Sequence, residues 1–80
     1  MKRKVLFVQY LDHALFSRDE HIDRGPIRVA TVGMLADEDD NCLFLDLNLW
    51  KSGNSDTMVI LKPTIEKIEE LGEVEVGFEL

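Results

Sequence analysis

The acidic run DEDDN contains oxygen donors at spacings that suit a bound cation. Asp37, Asp39 and Asn41 follow the first, third and fifth positions of a calcium-binding loop. The rest of that pattern is missing, because the sixth position is Cys42 instead of glycine and the twelfth is Asn48 instead of glutamate. From Cys42 onward the residues alternate as a strand does, whereas a calcium loop leads into a helix. The sequence therefore predicts a hairpin tip here and no metal site.

Histidines and carboxylates occur together in the connection formed by residues 12–23. These residue types are the usual ligands of zinc and iron, and His13 and His21 are the two histidines of the chain. They do not form an HxH or HxxxH pair, and on a short helix Glu20 and His21 diverge. We expect a solvated polar loop here. Ligand recognition by this loop and a metal site in it are the alternatives.

No combination of side chains predicts nucleophilic catalysis. Cys42 follows a run of acids, whose negative charge disfavours the thiolate that would act as the nucleophile, so packing is its expected role. Ser17 suits a helix cap, and Ser52 and Ser55 are expected in a loop. The glycines do not form a phosphate-binding loop. We therefore expect no enzyme activity, no catalytic residues and no cofactor.

The composition limits both the size of the fold and its partners. A chain of 80 residues that is 45% hydrophobic predicts a single small domain, residues 1–80, whose modest core favours oligomerisation. The 16 acidic and nine basic residues give a net charge of −7, which repels phosphate and disfavours nucleic acid as a partner. The only basic cluster is the short run Lys2-Arg3-Lys4.

Cysteine content and hydropathy indicate in which cellular compartment the protein is expected. The single cysteine, Cys42, cannot form an internal disulfide, so the chain needs no oxidising compartment and we expect it in the cytoplasm. No apolar run approaches the ~20 residues that span a bilayer. The segment VLFVQYL also lacks the cleavage pattern of a signal peptide. We expect no association with membranes.

Hydrophobic patterns predict several strands and one short helix. The capping box SRDE, with a later Gly-Pro pair, predicts a helix over residues 18–24. Residues 64–71 suit either a short helix or a strand that follows a turn at Pro63. The tail from residue 73 alternates apolar residues with glutamate and glycine, and predicts an edge strand whose glutamates discourage unwanted pairing. The predicted strands cover residues 4–11, 27–36, 42–50, 57–62 and 73–80.

The clearest predicted hairpin joins residues 27–36 to residues 42–50 through DEDDN. If Ala36 opposes Cys42, the numbers of paired residues add to 78 and four leucines share the core face. A bulge in either strand would change these partners. The leucines are Leu43, Leu45, Leu47 and Leu49, facing Leu35, Gly33, Thr31 and Val29, and the second face pairs Met34 with Phe44, Val32 with Asp46 and Arg28 with Trp50.

The second face of this hairpin is an apolar patch with an arginine. Exposed patches of this kind usually indicate an interface, and Met, aromatic and Arg residues are enriched at interface centres. Either another part of the chain covers the patch, or it binds a second copy or a partner. Val74, Val76 and Phe78 are candidates for the cover, within the chain or exchanged between subunits. The candidate interface residues are Arg28, Val32, Met34, Phe44, Trp50, Val76 and Phe78.

Several short strands, little helix and one long first connection predict a mainly β fold. We expect a small antiparallel SH3-like barrel of about five strands, with one or two short helical turns. The runs VLFVQYLDH, TVGMLADEDD and VILKPTIEKIEEL resemble a group of small uncharacterised proteins that are often associated with phages or mobile elements. The resemblance spans roughly residues 4–71 and leaves out CLFLDLNLWKSGNSD and the tail after Gly72. It implies an SH3-like or Sm-like barrel and transfers neither an activity nor site residues.

These observations favour a non-enzymatic protein-interaction or assembly module that forms a homo-oligomer or binds a protein partner. The first alternative is an Sm-like, nucleic-acid-associated regulator. The resemblance, the basic cluster and stacking on Phe7, Tyr10 or Trp50 support it, and the net charge opposes it. The second alternative is a metal-dependent hydrolase that uses residues 12–23.

Overall fold

The computed structural model describes residues 1–12 and 27–79. This part of the chain is mainly β, as the sequence predicts, with five antiparallel strands in one sheet. The strands are β1 (Lys2–Asp12), β2 (Ile27–Glu38), β3 (Cys42–Leu49), β4 (Ser55–Leu61) and β5 (Ile65–Glu75). They lie in the order β4-β3-β2-β1-β5, so the last strand pairs with the first.

The sheet is curled but remains open. β4 and β5 are its two edges and are not paired with each other, so the expectation of a closed barrel is wrong. The two strands are joined by a short 3₁₀ turn, Lys62–Thr64, after which β5 follows β1 along its length instead of following β4. The curl brings the Tyr10 hydroxyl of β1 within 3.4 Å of the Met58 sulfur of β4, although β2 and β3 lie between these strands in the sheet.

Residues 64–71, for which helix and strand are alternatives in the sequence, fall largely in β5, which continues into the predicted tail strand. Pro63 lies in the 3₁₀ turn, where its missing N–H removes no hydrogen bond from the sheet. β5 ends at Glu75, so the strand predicted to residue 80 is too long. The helix predicted over residues 18–24 lies outside the described residues. Within the described part, no helix has the length and hydropathy needed to cross a membrane.

The core lies on the inner face of the curled sheet. Val8 and Leu45 are fully buried, and Ile60 is 2% exposed. The predicted leucine face is confirmed for Leu43 and Leu45, whereas Leu47 is 41% exposed. The buried apolar residues are Leu6, Val8, Tyr10, Leu43, Leu45 and Ile60, with Val29, Leu35, Met58 and Ile65 packed against them.

The register between β2 and β3 differs from the predicted one. Leu35 opposes Leu45, two residues beyond its expected partner. The shift arises because β2 continues to Glu38 and because Ala36 forms a bulge between the paired residues. A shift of two keeps the same side chains on each face, so the predicted faces hold where the strands pair. The pairs predicted on the second face are wrong: Met34 with Phe44, Val32 with Asp46, and Arg28 with Trp50.

Gly33 lies next to the last residue pair between β2 and β3, at a point where the two strands approach each other closely. A Cβ atom at this buried position would lie 3.0 Å from the Leu45 Cβ and 3.3 Å from the carbonyl oxygen of Asp46. A residue without a side chain permits this close approach. Pairing between β2 and β3 stops at Met34 opposite Asp46, and the rest of β3 pairs with β4 alone. Leu47 therefore has no pairing partner on β2, although its Cδ2 atom lies beside Gly33, and it stays 41% exposed.

Candidate interaction surface

The side of the sheet opposite the core, the outer face, carries exposed apolar side chains. Val59 on β4 lies opposite Phe44 on β3, and Leu61 lies opposite Cys42. Val59 and Leu61 are each 56% exposed, whereas Ile60 between them is in the core. On β1 to β4, the large apolar residues of the outer face are Val5, Phe7, Val32, Met34, Phe44, Val59 and Leu61.

Three of the predicted interface residues lie together on the outer face. Val32 is 52% exposed, and Met34 and Phe44 are half-buried. Sequence reasoning misses Val59 and Leu61 as members of this surface. The alternation in TMVILK places both on one face, but the sequence does not show which strand β4 pairs with. The structure adds them to the predicted set.

Two further predicted interface residues lie away from that group. The Arg28 guanidinium is 3.2 Å from a carboxylate oxygen of Glu66, so it links β2 to β5, the edge strand farthest from β4. Trp50 follows β3, is 49% exposed, and starts the turn to β4. Its carbonyl accepts a hydrogen bond from the Gly53 N–H at 2.9 Å, and Gly53 has the positive φ of 94° that this turn requires. Arg28 and Trp50 therefore do not form the pair that the sequence predicts.

The tail does not cover the exposed residues of β4. The Val76 N–H donates to the Met1 carbonyl at 2.8 Å, which places the segment after β5 beside the start of β1. Val76 and Phe78 are both half-buried there. Val32 and Trp50 of the predicted patch stay 52% and 49% exposed, and Val59 and Leu61 are exposed as well, so the tail does not cover these residues within one copy of the chain.

A buried polar cluster interrupts the apolar outer face. Asp46 is 4% exposed, and the Thr57 hydroxyl donates to one of its carboxylate oxygens at 2.7 Å. The Arg3 guanidinium lies 3.7 Å from the other oxygen and donates to the Leu35 carbonyl at 3.2 Å. These partners offset the cost of removing a carboxylate from water. The cluster links β1, β2, β3 and β4.

The acidic run forms the hairpin tip, and Asp39 organises it. The Asp39 carboxylate accepts hydrogen bonds from the backbone N–H groups of Asn41 at 2.8 Å and Cys42 at 2.7 Å, and these bonds lower its pKa. The Glu38 carboxylate lies 2.7 Å from the Lys62 ammonium and raises the pKa of that lysine. Across residues 1–12 and 27–79, no three His, Cys, Asp or Glu side chains are grouped to hold a metal ion.

The basic cluster near the start of the chain faces carboxylates. Lys2 lies 3.9 Å from Glu73, and Lys4 lies 3.6 Å from Glu70, both on β5. Arg3 belongs to the buried cluster around Asp46. Exposed ion pairs of this kind stabilise weakly, but they place negative charge beside each cation. A nucleic acid approaching this cluster would meet the glutamates of β5.

An open groove of about 380 Å³ runs along the free edge of β4. Residues 58–61 line it consecutively, and because successive strand residues point to opposite faces, the groove follows the strand edge. The end of β1, from Tyr10 to Asp12, forms the other wall, and Thr64 also lines it. Burial, followed by the negative charge of Asp12, raises the pKa of the Tyr10 hydroxyl.

Comparison of the chain with protein-family models, with curated proteins and with solved structures gave no match. Its function has to be inferred from its own residues.

Proposed function

We propose that the protein is a non-enzymatic protein-interaction module that self-associates through the apolar outer face and the adjoining edge of β4. The observation that carries the proposal is the exposure of Val59 and Leu61, 56% each, beside Phe44. Contiguous exposed apolar surface typically marks an interface in a small protein. Removing such surface from water yields roughly 25 cal/mol per Å², which favours association.

The residue types around these two positions support the same proposal. Met34 and Phe44 lie on the outer face, and Trp50 is exposed at the end of β3. Methionine and aromatic side chains are enriched in the centres of protein interfaces. The ion pair between Glu38 and Lys62 lies at the hairpin tip, where a polar rim is expected.

The small core also favours association. Six apolar side chains are buried in the described part of the chain. Domains of this length rarely obtain a large stability from a single core, and oligomerisation is one of the ways in which they gain it. Any binding that is specific for the folded state adds to its stability. We therefore propose a second copy of the chain as the first partner. We also propose that the protein resides in the cytoplasm.

The two alternative functions have less support. A nucleic-acid-associated regulator would need free cations, whereas Lys2 and Lys4 each face a glutamate of β5 and the net charge is −7. A metal-dependent hydrolase would use residues 12–23, of which only Asp12 is described. Neither alternative gains a specific observation from the described surface.

The test is the molar mass of the chain in solution, measured by size-exclusion chromatography with light scattering. We expect a mass above that of a monomer at high micromolar concentration, and we expect Leu61→Glu to shift the population toward monomer. Ile68→Glu is the matched control, because Ile68 is 52% exposed on β5 and pairs with the core residue Val8, which places it on the side of the sheet opposite the proposed interface. A strict monomer for the unmodified chain would contradict the proposal.

A further inference from the structure

The two edges of the sheet differ in their protection against pairing with another strand. β5 carries five glutamates and one lysine in 11 residues. Its pairing with β1 is interrupted twice by bulges, and Gly72 at the second one has a φ of 145°, which few other residues adopt. Charge and bulges are the usual features that keep an edge strand unpaired. β5 is therefore an edge strand that is protected against pairing with another strand.

Within residues 1–12 and 27–79, β4 has none of this protection. Its seven residues, SDTMVIL, contain one charged side chain, Asp56, and the bulge in its pairing with β3 lies at Leu47 on the other strand. Pro63 follows the strand and leaves its edge free of proline. The groove along residues 58–61 leaves space beside the edge. A regular, nearly uncharged edge of this kind favours pairing with another strand.

We propose that β4 of a second copy pairs antiparallel with β4, centred on Val59, so that the two sheets become continuous. The proposal rests on the self-association proposed above and names its geometry. A strand related to itself by a twofold axis pairs residues symmetrically about one position. With Val59 at that position, Thr57 opposes Leu61 of the partner subunit and Met58 opposes Ile60 of the partner subunit.

Charge and facing select this register. Asp56 then opposes Lys62 of the partner subunit, the residue directly after β4, which also lies 2.7 Å from Glu38 within its own copy. The added attraction to Asp56 occurs twice in the dimer. Centring the pairing on Met58 instead would place Asp56 opposite Ile60 of the partner subunit and remove this attraction. Because β4 has no bulge of its own, paired residues share a face: Val59 and Leu61 remain on the outer face of both copies. Across the new ladder, Val59 then contacts Val59 of the partner subunit and Leu61 contacts Thr57 of the partner subunit, so part of their exposed apolar surface is removed from water.

The corresponding arrangement of two β5 strands is unfavourable. Five glutamates against one lysine in each strand bring like charges together across the new ladder. The chain thus combines a self-complementary edge with an edge that repels its own copy, which limits growth to a closed dimer. β4 is the edge through which we expect the two copies to meet.

Disulfide trapping tests the register. Residues directly opposite in an antiparallel pair have Cα atoms about 4.5–5.5 Å apart, within the range that a disulfide spans. In a Cys42→Ala background, Val59→Cys is expected to cross-link under a mild oxidant and to appear as a dimer on a non-reducing gel. Leu71→Cys in the same background is the matched control, because Leu71 is 53% exposed on β5.

The possible results separate the two proposals. A monomer in light scattering without cross-linking at Val59 overturns the self-association itself. A dimer in light scattering that cross-links at Leu71 and not at Val59 retains self-association and overturns the β4 register. Val59→Lys provides a second test, because it places two ammonium groups at the twofold axis: we expect at least a tenfold weaker dimer with unchanged circular dichroism. An unchanged dimer affinity would overturn the proposal.

Discussion

The two halves of β3 have the same alternating leucines and different surroundings. Leu43 and Leu45 lie between β2 and β4 and are 2% and 0% exposed. Leu47 lies beyond the last residue pair of β2 and β3 and is 41% exposed. The residue type is constant along the row, so strand pairing sets the burial: Leu47 has no partner on β2 and lies at the bulge in the pairing with β4. A leucine pattern identifies a face of a strand, and the length over which β3 pairs with β2 decides how much of that face becomes core.

The largest expected effect separates these two leucines directly. Leu45→Ala is expected to lower the free energy of unfolding by about 2–5 kcal/mol, because it leaves a cavity at a fully buried position. Leu47→Ala is the matched control on the same strand and face, with an expected loss below about 1 kcal/mol. Urea unfolding followed by circular dichroism measures both. Equal losses would show that the two halves of β3 are buried alike.

A smaller expected difference separates two carboxylates near β3, the buried Asp46 and the exposed Asp56. Asp46→Ala is expected to cost roughly 2–3 kcal/mol, because Thr57 loses its hydrogen-bond acceptor and the partly buried Arg3 loses its ion-pair partner. Asp56→Ala is the control: its carboxylate accepts from the Asn48 side chain at 2.9 Å in an exposed position, and we expect a loss within about 0.5 kcal/mol. Chemical denaturation provides the comparison, at a protein concentration low enough that the proposed dimer, in which Asp56 takes part, does not contribute. A loss at Asp56 as large as that at Asp46 would contradict the structural difference.

The smallest expected effect is the acid sensitivity of the turn that precedes β3. The pKa of Asp39 is lowered in the folded state, so its contribution to stability is complete above its ordinary value of 3.8 and is lost as the pH falls through the folded value. Asp39→Asn keeps an oxygen acceptor and is expected to flatten this part of the stability profile below pH 4. Asp40→Asn, at a position that accepts neither backbone bond, serves as the control.

Stability measured between about pH 2 and pH 6 distinguishes these variants. An Asp39→Asn profile identical in shape to that of the unmodified chain would mean that the hairpin tip contributes nothing to the acid response. The turn after β3, at residues 50–54, uses Gly53 and backbone hydrogen bonds instead of a carboxylate, so no acid response is expected from it.

Much of the fold follows from local sequence patterns. Alternation and β-branched residues predict the strands, and the acidic run with its asparagine predicts the hairpin tip, where Asp39 bonds the backbone. The class and the approximate number of strands are confirmed. These features depend on residues close together in the chain, which is why the sequence is informative about them.

Other features depend on contacts between distant residues. The bulge at Ala36 changes the β2–β3 register, and the residue types from Leu35 to Asp37 do not predict it. The pairing of β5 with β1 decides that the sheet stays open and that the tail lies beside Met1. Val59 and Leu61 therefore emerge as the most exposed apolar pair on the outer face only once the strand order is known.

The pairing of β1 with β5 also has a kinetic consequence. Lys2 pairs with Glu75, so the first and last strands must find each other across almost the whole described chain. Folds dominated by such distant contacts close large loops late and fold slowly, typically on a scale of roughly milliseconds to seconds. During synthesis, β1 lacks this neighbour until β5 has left the ribosome. Leu6 and Val8 then remain accessible to chaperones for longer than the residues of the β3–β4 hairpin, whose partners are adjacent in the sequence.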